Sequence, residues 1–288
     1  MIQIMAVTSD NKPITTSLLE DFHPDDFSWY WIDFNKPTNQ EIELLKKQLR
    51  FHPLAIEDCI NSLQRPKLDF YDDFYYVVTH TIGSEEFNEH EVNFFIGENF
   101  IVTFHYEDLH EVNYVWNELL QTESIRNWDI YRVFYEILDK IVDKFFPVIH
   151  EIEDAIKEVE DNPENKSMEV LLDRLFDLRH QLLDLRHTIN PIRDLLYRII
   201  NSHHLEEVLQ HKEYFIDIYD HLLKISEMIN SNREITNDIR NNFISINSYQ
   251  QNKVIQILTV ITSIFSPLTF IAGIYGMILF FKKKGWFW

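Results

Sequence analysis

In 288 residues the chain sets 47 acidic side chains against 26 basic ones, a formal net charge of −21 that disfavours nucleic acid as a partner and favours cations. Its single cysteine, Cys59, excludes a disulfide framework and a thiolate metal site. Its five glycines build neither GxGxxG nor a P-loop pattern, which removes the usual nucleotide-binding loops.

Met1 to Thr8 is strand-like and does not follow the basic-then-apolar order of a leader, so the bulk of the chain is expected in the cytoplasm. Ser28 to Asp33 is a second strand, with Trp29 and Trp31 on one face and Tyr30 and Ile32 on the other. Pro37, Thr38 and Asn39 open a helix that carries Ile42, Leu44, Leu45 and Leu49 at helical spacing. His52 to Asp58 (HPLAIED) starts another, with Pro53 in its first turn. Phe74 to Thr81, Val92 to Ile96 and Phe100 to Phe104 are β-branched and aromatic strands, joined by turns at Ser84 to Glu91 and Glu98-Asn99. Residues 1–127 therefore form a small α/β domain.

From Trp128 the strand signal ends. One amphipathic helix is expected from Ile130 to Val159, and Asn162-Pro163 breaks it. A second runs from Ser167 to about Asn201, with Leu171, Leu175, Leu178, Leu182, Leu185 and Ile189 stepping by three and four and Pro191 as a kink. Together they make an antiparallel hairpin over 128–210. Beyond His211 no Gly or Pro occurs until Pro267. Ile218, Leu222, Ile225, Ile229, Asn232, Thr236, Ile239, Phe243 and Ile246 hold one register along this stalk, 211–253, with Asn232 and Thr236 as polar breaks in the seam. A single helix from His211 to Phe281 would be roughly 105 Å long. It needs neighbours, and parallel copies in a symmetric ring would supply them.

Val254 to Phe281 contains no charged residue and is followed at once by Lys282, Lys283 and Lys284. About 20 residues suffice to cross a bilayer as a helix, so 254–281 is expected to be a transmembrane segment and 282–288 a basic, aromatic tail. Thr262, Ser266, Thr269 and Gly273 share one face of that helix, which extends backward through Leu258 and Ile255 to Asn252 at the mouth. Small hydroxylated residues also serve close helix packing. Brought to a common axis by several copies, the same stripe would line a path for a hydrated cation such as Mg²⁺.

The histidines give no site of their own. His110-Glu111 and His90-Glu91 lack the second His of a zinc-protease helix, His180 and His187 fall on a charged face, and His203-His204 lies at a helix end. No nucleophile–base set converges, so no enzyme is expected.

His52-Pro53-Leu54-Ala55-Ile56-Glu57-Asp58 with Gln64-Arg65-Pro66-Lys67 resembles the HPLxxED…QRPK signature of the CorA family of Mg²⁺/Co²⁺ channels. Tyr214 to His221 (YFIDIYDH) resembles that family's YFRDVYDH, and Ile264 to Met277 resembles the IFxPLTFIAGIYGM that closes its first membrane helix. The likeness runs from near the N-terminus to Met277. It implies an α+β membrane protein assembled as a homopentameric funnel: a cytoplasmic α/β domain, a helical hairpin, and a stalk that becomes the pore-lining span. It also implies passive uptake of Mg²⁺, with Co²⁺ as a second ion, gated by intracellular Mg²⁺ held between subunits at the position of Asp217. Asp220 lies beside it, and Glu85 or Glu86 of a neighbouring domain is the expected partner carboxylate. Tyr275, Gly276 and Met277 are what remains of the family's selectivity mouth. Where the family continues Gly-Met with Asn, a loop and a second span, this chain has Ile278, and Leu279 to Trp288 resembles the family's extreme C-terminus. The simplest account is an internal deletion, and the expected consequence is poor Mg²⁺ transport. A zinc or nickel transporter of the same superfamily and a non-transporting, cation-sensing scaffold are the alternatives.

Overall fold

The computed structural model describes residues 1–288 apart from 18, 20–21, 62–63, 84–87, 123–124, 203–204, 206–210 and 287–288, so the expectations for Glu85, Glu86 and His203-His204 lie outside the described residues. Seven strands form one sheet: β1 (Ile2–Val7), β2 (Pro13–Thr16), β3 (Trp29–Asn35), β4 (Lys67–Phe70), β5 (Tyr75–Ile82), β6 (Glu89–Ile96) and β7 (Phe100–His105). Their order is β2-β1-β3-β7-β6-β5-β4, with β3 and β7 parallel and the other neighbours antiparallel.

Period-two alternation sorts the side chains into two cores. Trp29, Trp31, Val77, Val92 and Phe94 join one, and Tyr30, Ile32, Tyr76, Val78 and Phe95 the other. The second core is closed by α1 (Asn39–Lys47) and α2 (Pro53–Ile60). Thr38 and Glu41 form a reciprocal capping box at the start of α1, satisfying two helix-end donors. The first core is closed by α3 (His110–Gln121) and α4 (Ile130–Asp143), and it continues without a gap into the helical part of the chain.

The single helix expected over Ile130 to Val159 is two. α4 ends at Asp143, and α5 (Phe145–Asp161) begins after an interruption at Lys144. Pro147 is the cause: it has no N–H for the Asp143 carbonyl, and its ring crowds that carbonyl, so it belongs in a first turn. Asn162 then closes α5 in the left-handed region at φ 42°, and its side chain bonds both ways to the Lys166 backbone. α6 (Met168–Ile200) runs through Pro191 as one helix and buries every apolar position of the expected register.

The last helix, α7 (Lys212–Lys283), is continuous over 72 residues. Phe215, Ile218, Leu222, Ile225, Ile229, Asn232, Thr236, Ile239 and Phe243 are buried along one side of it. They pack on α4, α5 and α6 of the same chain, whereas Ile246 is exposed. This corrects the argument that so long a helix needs parallel copies for support. Its first half is supported within the chain, and only the second half stands bare.

A polar network sits inside the β3–β7 pairing. Trp31 Nε1 donates to Thr103 Oγ1 at 2.9 Å, the Thr103 hydroxyl donates to Asp33, and His105 Nε2 lies 3.1 Å from Asp33 Oδ1. His105 Nδ1 faces the Glu107 carbonyl, so both ring nitrogens meet acceptors and both must carry protons. Burial lowers the pKa of His105, but the Asp33 charge, its hydrogen bond and the Glu107 carbonyl outweigh that and leave it raised. A raised folded value places the stabilisation below the ordinary pKa of about 6.5 and removes it as pH rises through the folded value. His105→Asn is therefore expected to cost about 3 kcal/mol near pH 6, by stranding a buried carboxylate, and progressively less as pH rises above the ordinary value of about 6.5. Thermal unfolding of both proteins across that range checks it, and a difference that does not change with pH would refute it.

Candidate functional site: an exposed span and an acidic strip

Every one of the expected lining residues, Asn252, Ile255, Leu258, Thr262, Ser266, Thr269 and Gly273, lies on the exposed half of α7, as do Tyr275, Gly276 and Met277. This half is the one helix among the described residues that is long and apolar enough to cross a membrane, and its most apolar window is not buried at all. At 1.5 Å per residue, 254–281 spans roughly 42 Å, enough for a bilayer core of about 30 Å.

Three hydroxyls on this span are oriented by its own backbone. Thr262 Oγ1 donates to the Leu258 carbonyl at 2.8 Å, Thr259 Oγ1 to the Ile255 carbonyl at 2.8 Å, and Ser263 Oγ to the Thr259 carbonyl at 2.7 Å. Each hydroxyl proton is thereby engaged, and what remains for a visitor is oxygen lone pairs. Pro267, inside the helix, has no N–H for the Ser263 carbonyl, which adds a further acceptor at the same level. The resulting face accepts hydrogen bonds and carries no charge. Thr259 and Ser263 make the stripe wider than the sequence spacing alone suggests; hydroxyls four apart were the available signal. A Cβ built on Gly273 or Gly276 meets nothing within 4 Å, so the fold of this chain does not itself require glycine there.

The second candidate is an acidic strip where α4 meets the stalk. Asp139 and Asp143, one turn apart on α4, and His221 on α7 bring one ligand atom each within 4.8 Å of one another. His221 Nδ1 is buried without a hydrogen-bond partner, and the nearest carboxylate oxygen, Asp143 Oδ1, is 3.9 Å away. Burial, then the neighbouring Asp143 charge, raise the pKa of Asp139 despite Lys140 at 3.3 Å. Two carboxylates repelling at a part-buried spot, beside an imidazole nitrogen, form a donor set that fits a divalent cation.

Asp217 lies one turn before His221 on the same face of α7. Its charge, after burial, Asp139 and Glu136, helps push the Tyr135 phenol up to about 12, which places it along the same strip. Asp217 and Asp220 are both exposed, and the ligand group of Asp139, Asp143 and His221 includes neither. Asp139 and Asp143 are not among the residues the sequence singles out. Two acids four apart in an amphipathic helix look like a solvated edge until the stalk is laid beside them.

By contrast, the signature HPLAIED…QRPK is structural. His52 Nδ1 accepts from the Leu54 N–H at 3.3 Å and caps α2, while Lys67 Nζ is held by Asp58 at 2.6 Å and Asp69 at 2.8 Å. Gln64 N–H donates to Glu91 at 2.8 Å, and the Gln64 carbonyl meets His80 Nε2 at 2.7 Å. These bonds clip α2 and the following loop to the β4–β5–β6 edge of the sheet.

With that geometry established, comparison with known proteins identifies the class. The family of CorA-like Mg²⁺ transporter proteins matches residues 26–278, and the chain belongs to it. It is 43% identical to YfjQ of Bacillus subtilis over 277 residues, which is 96% of this chain and 87% of that protein. It is 30% identical to the cobalt/magnesium transport protein CorA of Thermotoga maritima over 235 residues, 78% of this chain and 66% of that one. The complete structure of the CorA magnesium transporter of Methanocaldococcus jannaschii superimposes with a TM-score of 0.80 at 21% identity, covering 96% of this chain and 86% of that one, a likeness of fold.

Next to the acidic strip, the helix break is anchored to the α/β domain. Lys144 Nζ bonds Glu111 Oε1 at 2.6 Å, Thr81 Oγ1 donates to the same oxygen at 3.0 Å, and Glu111 is buried with its other oxygen unpartnered. Removing the lysine strands a buried charge, whereas removing both charges does not. Lys144→Met is expected to destabilise by about 3 kcal/mol, and Glu111→Gln/Lys144→Met by less. Melting temperatures of the three proteins decide this; a double variant less stable than Lys144→Met would count against it.

Proposed function

We propose that the chain is a divalent-cation transport protein of the cell membrane, its α/β domain, hairpin and stalk on the cytoplasmic side, with Mg²⁺ as the first cargo and Co²⁺ as a second. The observation that carries this reading is the unburied, uncharged span with a stripe of hydroxyls, three of which (Thr259, Thr262 and Ser263) are held by the backbone with their oxygen lone pairs free. Lipid can cover the apolar side of such a helix, but the hydroxyl side and two unobstructed glycines favour other copies of the same helix. A homopentamer, as the family resemblance implies, would bring Asn252, Thr262, Ser266 and Thr269 to a common axis. Neutral hydroxyl, amide and carbonyl oxygens suit an ion that keeps its water, as Mg²⁺ does. Tyr275, Gly276 and Met277 would stand at the far mouth, where Ile278 replaces the oxygen-bearing Asn of the family with an apolar side chain. Uptake by magnesium-starved cells lacking their own transporters is therefore expected to be slow. Ile278→Asn is expected to raise it by on the order of tenfold, the effect of about 1.4 kcal/mol on an entry barrier. Uptake near the rate of an Asn-bearing relative, with no gain in the variant, would sink the proposed role of Ile278. No metal-dependent flux from either protein would favour the sensing scaffold instead.

Regulation is assigned to the acidic strip. A divalent ion held by Asp139, Asp143 and His221, with Asp217 one turn away, would replace carboxylate repulsion by attraction between α4 and the stalk. Asp220, Glu85 and Glu86 are secondary candidates for contacts from a neighbouring subunit. Mg²⁺ is expected to slow proteolysis of the hairpin and stalk in the parent protein, and Asp217→Ala or Asp139→Asn/Asp143→Asn to abolish most of that protection. Unchanged Mg²⁺-dependent protection in both variants would remove the strip from consideration.

A further inference from the structure

The end of α7 is a built cap whose chemistry points beyond ion transport. Gly285, at φ 70°, takes the left-handed conformation just past the helix end. The Gly285 N–H bonds the Lys282 carbonyl at 3.2 Å, and the Trp286 N–H bonds the Phe281 carbonyl at 3.1 Å. These are the two hydrogen bonds of a Schellman motif, and the apolar contact that accompanies it is present too: Phe281 and Trp286 stack at 5.8 Å and 22°. Lys284 Nζ lies 5.3 Å from the Phe280 ring centre and 5.7 Å from that of Trp286. The motif thus turns the chain back on itself and sets three exposed ammonium groups and an exposed indole at one level, directly beyond the apolar span.

Complementing the partial negative charge of a helix C-terminus, about half an elementary charge, takes one lysine. Three exceed it, in a chain whose formal net charge is −21. Indole rings partition to the level of lipid headgroups, and lysines there attract anionic ones. We propose that Lys282, Lys283, Lys284 and Trp286 form a binding surface for anionic phospholipid headgroups. The proposal rests on the membrane reading of α7 and adds a lipid preference to it.

Brominated lipids, which quench nearby tryptophan, test both separately, because Trp286 and Trp288 are the two of the six tryptophans that adjoin the span. The full chain is reconstituted into equimolar phosphatidylcholine and phosphatidylglycerol vesicles, with one lipid or the other brominated. Quenching is expected to be several-fold stronger when phosphatidylglycerol carries the bromine, since each lysine near an anionic surface contributes about fivefold. Replacing Lys282, Lys283 and Lys284 by Gln should equalise the two. Equal quenching in the parent, or a bias that survives the triple variant, would overturn the lipid preference. No quenching by either lipid would overturn the membrane reading and this proposal with it.

Discussion

The seam that α7 buries against α4, α5 and α6 is the interaction on which the remaining structure depends. A helix of 72 residues meets two environments, and only its first half has partners in its own chain. Burying a side chain the size of Ile, Leu or Phe contributes about 1.5–3 kcal/mol, and Phe215 to Phe243 repeat that burial turn after turn. The register then fixes which residues meet α4. Phe215 and Ile218 turn inward, so Asp217 and His221 fall at the edge of the seam, beside Asp139 and Asp143. Rotating the helix enough to expose the seam would disperse the strip. The acidic site is thus a by-product of apolar packing, held by residues that carry no charge.

The same packing explains why the junction around Lys144 is sensitive. Asp143 belongs to the acidic strip, Lys144 reaches Glu111 under the sheet, and Pro147 forbids a continuous helix between them and α5. Consecutive residues therefore face two different layers. A change in the separation of α4 from the stalk would be felt at a buried ion pair within one residue, where a half-satisfied carboxylate makes small displacements expensive. The Asp33–His105 pair lies on the same face of the sheet as this junction, but at the β3–β7 pairing, whereas Thr81 meets Glu111 from β5.

Legibility in the sequence followed the range of the interaction. The span is legible from composition, since an uncharged run of that length ending in three lysines fits a membrane helix and little else. The division of Trp29 and Trp31 from Tyr30 and Ile32 follows from strand geometry, and the α6 and α7 registers from helical spacing. What escapes is set by neighbours. β2 and β4 are four-residue edge strands whose positions, Leu68 apart, are exposed or half-buried, too short for alternation to speak. α3 does carry a legible three-four pattern in Val112, Val115, Trp116 and Leu119, weaker than those of the longer helices. The break at Lys144 is likewise signalled by Pro147. Asp139 and Asp143 carry no such signal, because a carboxylate becomes a ligand only when another helix supplies the third donor. The length of the stalk does not by itself argue for symmetry, for a related reason: sequence spacing identifies an apolar seam but does not say which chain fills it.

Under the proposed reading the chain meets one cation with two chemistries. The span offers neutral hydroxyl and carbonyl oxygens, which replace part of a water shell weakly and give no long-lived site. The strip offers two carboxylates, which can hold a partly hydrated Mg²⁺, and an imidazole nitrogen, a donor better suited to a transition-metal ion such as Co²⁺. Weak contacts suit passage and strong ones suit occupancy that reports concentration. Placing carboxylates in the span would trap the ion and would place charges in hydrocarbon, where each costs about 2.5–3.5 kcal/mol or more. Placing only hydroxyls in the strip would leave nothing for the ion to neutralise. Asp is absent from 254–281, while Asp139 and Asp143 stand where α4 meets the stalk, in keeping with that division.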